Sequence, residues 1–113
     1  MHEYSLVQAL MERVEQEARA RQATAVHRLS VRIGSLAGVE KDLFRSAYEL
    51  CREGTICAGA ELLIEPVEAQ WACGRCGRAV AAGEILTCPA CSSPARLLSG
   101  DEIMLDRIEM EVA

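Results

Sequence analysis

E-I-M-L-D-R-I-E-M-E-V, residues 102–112, ends in alternation: Ile108, Met110 and Val112 are apolar, with charged Glu109 and Glu111 between them. A period of two marks a half-buried β-strand. A lone strand buries nothing, so this one is expected to pair with the two strands that precede it. What lies between them is then an insertion, not a tail.

Two earlier stretches supply the partners. V-H-R-L-S-V-R-I-G, residues 26–34, sets His27, Leu29, Val31 and Ile33 against Arg28, Ser30 and Arg32, and His27 is expected to start the inward row. Residues 60–67 place Leu62 and Ile64 on one face. Pro66 confines the far end to an edge, because it has no N–H for a ladder. Two amphipathic helices accompany the strands. The first runs from Ser5 to Arg21, with Leu6, Val7, Leu10, Met11, Val14 and Ala18 on one stripe, and Ser5 with Gln8 has the form of a capping box. The second covers residues 40–53, with Leu43, Phe44, Ala47, Leu50 and Cys51 on its apolar side. Glu40 and Asp42 fall in its first turn, where the helix dipole favours negative charge, and Gly54 is placed to stop it. Gly34 to Gly38 reads as a turn between strand and helix. The expected fold is α+β: a small two-helix, three-stranded sheet domain, residues 1–68 plus 100–113, with a four-cysteine zinc-ribbon lobe inserted at 69–99.

The lobe is defined by W-A-C-G-R-C-G-R-A-V-A-A-G-E-I-L-T-C-P-A-C, residues 71–91. Cys73/Cys76 and Cys88/Cys91 are two Cys-x-x-Cys pairs. Each spacing lets one tight turn aim two sulfurs at a common point, and two turns supply four thiolates for a tetrahedral Zn(II). A shell of four cysteines leaves no open position, which makes the metal structural. An iron site of rubredoxin type is the next reading, disfavoured by the short connection and the lack of surrounding aromatics. A nucleic-acid-binding ribbon is the third. Arg75, Arg78 and Arg96 stand against Glu84 there, and four thiolates around a divalent ion offset the excess, leaving a poor footprint for phosphates. Cys51 and Cys57 read as reduced thiols outside the metal shell. Trp71 reads as a packing residue.

At 113 residues with a net charge of −5, the chain fits one domain with a small appendage, and nucleic acid is not the expected partner. Only Trp71, Phe44, Tyr4 and Tyr48 are aromatic, so the core is aliphatic and modest, and a metal staple suits it. The start lacks a basic, signal-like n-region, and no run approaches the roughly 18 apolar residues of a membrane span. With four cysteines at zinc spacing, a cytoplasmic, reducing setting is expected, with no membrane partner. No nucleophile–base pair stands at a recognisable spacing, so an enzyme is not expected.

Met1-His2-Glu3 offers a second metal option. A free α-amine, the His2 amide nitrogen and the His2 imidazole Nδ1 form two fused chelate rings of the square-planar kind that Ni(II) and Cu(II) favour. Against it stands the plain reading of an exposed histidine beside a helix-start acid.

Three stretches together carry a resemblance. They are Met1-His2-Glu3-Tyr4-Ser5-Leu6, Val31-Arg32-Ile33-Gly34-Ser35-Leu36-Ala37-Gly38-Val39, and the two Cys-x-x-Cys pairs, followed by the final I-E-M-E-V strand. In that order the chain resembles the HypA/HybF family of hydrogenase-maturation nickel chaperones. The resemblance implies transient Ni(II) binding at Met1, His2 and Glu3, with Glu40 as a further residue near the nickel. It also implies structural Zn(II) at Cys73, Cys76, Cys88 and Cys91. The implied partners are a GTPase accessory protein and the [NiFe]-hydrogenase large subunit, and urease accessory proteins for some members. The rival expectation is a zinc-stabilised protein-interaction adaptor with no nickel site of its own.

Overall fold

The structure is a computed structural model and describes residues 2–81 and 86–113. Among the described residues two helices, α1 (His2–Ala20) and α2 (Lys41–Cys51), accompany six strands. These are β1 (Ala23–Gly34), β2 (Glu61–Val67), β3 (Gln70–Cys73), β4 (Ala79–Val80), β5 (Ala95–Ser99) and β6 (Ile103–Val112). They form two sheets of three, ordered β2-β1-β6 and β4-β3-β5. This is the α+β fold with a ribbon lobe that the sequence led one to expect. By contacts the chain divides into two compact units: residues 1–32, 39–65 and 104–113, and residues 33–38 and 66–103.

In the first unit α1 buries Val7, Met11, Val14 and Ala18, one stripe at helical spacing. The helix begins at His2, three residues ahead of the expected Ser5 cap, so Ser5 lies within it. Glu3 supplies the acid of the first turn. Its Oε2 accepts a hydrogen bond from the backbone N–H of Glu40 at 3.1 Å, which anchors the helix start.

β1 is the central strand, and cross-strand ion pairs give the direction of its neighbours. Arg28 meets Glu61 and Arg32 meets Glu65, so β1 and β2 run parallel, with α2 as the crossover between them. Arg32 also meets Asp106, and Arg28 meets Glu109, so β6 runs antiparallel. β6 thus pairs with β1 alone, where pairing with both earlier strands was expected. Pro66 sits on the outer strand β2, where a missing N–H costs no ladder bond.

The alternation of β1 slips near its start. Val26 and Leu29 are both buried, while His27 and Arg28 between them are both exposed. His27 therefore does not start the inward row. Its Nε2 lies 3.2 Å from Oε1 of Glu111 on the solvent side, and Val26 takes the inward place.

α2 is also turned from the expected orientation. Phe44, Ala47 and Tyr48 are buried, whereas Leu43 and Leu50 are 51% and 72% exposed. The Tyr48 hydroxyl donates to the Ala60 carbonyl at 2.8 Å, which lets the ring go inward with its polar atom satisfied. Burial pushes its phenol up to about 12. Arg45 and Arg52 donate to the carbonyls of Leu62 and Ala60, fixing the helix about its axis.

In the second unit, residues 34–36 are tied to two other segments. The N–H groups of Gly34, Ser35 and Leu36 donate to the carbonyls of Glu102, Val67 and Gly100 at 2.8, 2.9 and 2.7 Å. A Cβ on Gly34 would stand 2.2 Å from the Gly100 backbone, so only glycine fits there.

Candidate metal centres

β3 delivers Cys73 to the start of a tight turn, and the turn repeats at Cys88. The Cys73 N–H donates to the Arg78 carbonyl, and the Gly77 N–H to the Cys73 carbonyl. Fifteen residues on, the Cys88 N–H donates to Ser93 and the Ser92 N–H to Cys88, which is the same pattern position for position. Gly77 and Ser92 occupy equivalent places with φ of +79° and +60°. Backbone amides also point at the first sulfur of each turn. Cys73 Sγ receives the N–H groups of Arg75 and Cys76, both at 3.3 Å, and Cys88 Sγ that of Ala90 at 3.4 Å.

The two turns bring four sulfurs together. Cys73–Cys91, Cys76–Cys88 and Cys76–Cys91 are separated by 3.3, 3.7 and 4.0 Å, and all four lie within 4.8 Å of one another. A tetrahedral shell with Zn–S bonds of about 2.3 Å has sulfurs about 3.8 Å apart, so the donor set and its span fit one zinc ion. When bound, the ion acts as a cross-link between the turns, with no position open to a further ligand. The amides of Cys76 and Arg75 bring the Cys73 thiol down to about 6, and those of Cys91 and Ala90 lower Cys88. For Cys76 the Arg78 amide pulls downward, but the Cys73 and Cys88 sulfurs outweigh it and push the thiol up to about 11. One sulfur in each turn is thus readily ionised. Trp71 is half-buried on β3, opposite Val80 of β4 and Leu97 of β5. Cys51 and Cys57 lie outside the cluster, and burial pushes the Cys57 thiol up to about 11.

At the other end, Met1 lies outside the described residues, and His2 and Glu3 form the first turn of α1. The Glu40 N–H, then its own N–H, hold the Glu3 carboxyl below its ordinary value. Glu40 is the N-cap of α2 rather than a first-turn residue, and its side chain makes no capping hydrogen bond. Glu3 takes the place of the reciprocal acid of a capping box from a different helix, a role that no local pattern announces. Among the described residues the four cysteines are the one group of three or more such donors that could share an ion. His2, Glu3 and Glu40 are not gathered into a second.

Residues 1–110 match the family model described as "Hydrogenase/urease nickel incorporation, metallochaperone, hypA". The hydrogenase maturation factor HypA of Shewanella oneidensis is 40% identical over 121 residues, covering 100% of this chain and 98% of the relative. That of Aquifex aeolicus is 37% identical over 114 residues, covering 99% of each. The solution structure of the Ni metallochaperone HypA from Helicobacter pylori superposes with a TM-score of 0.77 at 31% identity, covering 98% of each chain. With the fold, the paired cysteine turns and the full length of the match in agreement, the chain belongs to the HypA family of hydrogenase and urease nickel-incorporation metallochaperones.

Proposed function

We propose that this protein is a cytoplasmic carrier of Ni(II), loading it at Met1-His2-Glu3 and passing it toward the [NiFe]-hydrogenase large subunit. A GTPase accessory protein is its partner in that transfer, and urease accessory proteins are further clients. The helix-bearing part holds the nickel, and Cys73, Cys76, Cys88 and Cys91 hold a structural zinc in the lobe. The cysteine set, which needs its thiolates reduced, supports the cytoplasmic setting.

What supports the reading is the start of α1, where His2 and Glu3 share the first turn and Glu40, 37 positions on, meets the Glu3 carboxylate through its backbone N–H rather than its own side chain. The helix start adds chemistry of its own. The first amides of a helix have no acceptor within it, so Ni(II) can replace the His2 amide proton without cost to a helix hydrogen bond. The resulting amidate sits at the positive end of the dipole. With the Met1 amine and the His2 imidazole it completes three nitrogens, and protonation of the amine and imidazole offers a route to release. An exposed chelate of this kind suits a carrier, which must exchange its cargo.

Ni(II) titration followed by calorimetry on untagged protein tests this. His2→Ala, or an extension that acylates the Met1 amine, is expected to weaken binding at least about tenfold. Equal affinity in wild type and His2→Ala would overturn the site. One tightly held zinc with no stoichiometric nickel would leave only the adaptor role.

A further inference from the structure

Burial divides the cysteine set in the same way in both turns. Cys73 and Cys88, the first of each turn, are buried, whereas Cys76 is exposed and Cys91 half-buried. The first sulfurs are also the ones held by amides of their own turn, those of Arg75 and Cys76 for Cys73 and that of Ala90 for Cys88. The second sulfurs stand outward, where a small oxidant can reach them from solvent.

Each outward sulfur lies beside an inward sulfur of the opposite turn. Cys91 Sγ is 3.3 Å from Cys73 Sγ, and Cys76 Sγ is 3.7 Å from Cys88 Sγ. The two outward sulfurs are 4.0 Å apart. An S–S bond is about 2.05 Å long, so each crossed pair closes by an approach of about 1–2 Å. The crossing follows from the repeat: two turns of the same backbone pattern face one another, inner sulfur to outer sulfur.

We propose that this set is a peroxide-responsive device, in which Cys76 and Cys91 are the residues oxidised and Cys88 and Cys73 resolve them across the turns. The Cys91 thiolate attacks one peroxide oxygen. The S–O bond forms, the O–O bond breaks and hydroxide leaves, so the sulfur is oxidised to a sulfenic acid and the departing oxygen is reduced. The Cys73 thiolate then attacks that sulfur, forming the S–S bond as the S–O bond breaks and a second hydroxide leaves. Both hydroxides take protons from solvent and become water. Cys76 and Cys88 react likewise with a second peroxide. The four sulfurs are thereby lost as metal donors, and the shell empties. The crossed links join the same two turns that the ion joins, so the lobe stays closed without it, and a dithiol reductant restores the donors. The loss of metal rests on the zinc reading above, whereas the pattern of links does not.

The test treats the reduced full chain, its zinc counted beforehand, with hydrogen peroxide while a chromophoric chelator follows released metal. Alkylation then blocks the remaining thiols, and peptides are mapped without reduction. Cleavage after Arg75 and Arg78 puts Cys73 and Cys76 on separate peptides, apart from Cys88 and Cys91, which fragmentation distinguishes. Cys73–Cys91 and Cys76–Cys88 links are expected to outnumber links within a turn at least about fivefold. Zinc should be released in step with them, and the oxidised chain should keep slow amide exchange in β3 and β5. Inertness to peroxide, a majority of Cys73–Cys76 or Cys88–Cys91 links, pairing of Cys73 with Cys88, or loss of the slow exchange would each overturn the proposal. A limiting dose of iodoacetamide on the untreated chain is expected to label Cys76 and Cys91 before Cys73 and Cys88, and the reverse order would overturn the assignment of the oxidised residues. A chain holding no zinc at the start would overturn the metal reading alone, since the same maps still score the links.

Discussion

Ser92 holds a left-handed backbone, φ +60°, where the equivalent place in the first turn has Gly77. A side chain there costs about 1 kcal/mol or more, and glycine would avoid it at some expense in unfolded-chain entropy. Ser92→Gly is expected to raise stability by up to about 1 kcal/mol, read as a higher denaturation midpoint; a lower one would mean that Ser92 does more than accommodate the turn. The cysteine spacing was enough to locate the two turns. It could not tell that they match residue for residue, because serine carries no signal for positive φ. The same limit applies to Glu3, whose partner is a backbone N–H far along the chain.

Among the elements, α2 separates what periodicity can and cannot supply. Its length and amphipathic character were legible, but its rotation was not. Leucine outranks tyrosine by hydropathy, yet Tyr48 goes inward because Ala60 offers its hydroxyl an acceptor, and Arg45 and Arg52, one turn to either side, bond to Leu62 and Ala60 of the same segment. Leu50 is left 72% exposed, while Phe44 is 1% exposed. Truncating Phe44 to alanine is therefore expected to cost about 3–5 kcal/mol in chemical denaturation, and truncating Leu50 within about 0.5 kcal/mol. Comparable losses at both would contradict this orientation. In β1 the slip between Val26 and Leu29 likewise escaped a rule of strict alternation and moved His27 to the solvent side.

For the whole molecule, one terminal strand was enough to place the cysteine segment inside an α+β chain, since β6 needs β1 as its partner. The order of the sheet was not legible, because the ion pairs that reveal strand direction join residues more than 30 positions apart. With zinc held by the four cysteines as proposed, chelation should abolish slow amide exchange in β3 and β5 while the helical circular dichroism of α1 and α2 persists. Loss of both signals together would mean that the helices depend on the metal. The repeated turns also bear on how fast the lobe can form. Each is closed by hydrogen bonds reaching no further than five residues, and eleven residues separate Cys76 from Cys88. Closing so short a loop takes about 10–100 ns, so chain search is not the slow step in assembling the lobe. Its pace is set instead by the supply of the ion, and zinc uptake by the unloaded chain should quicken in proportion to the free metal.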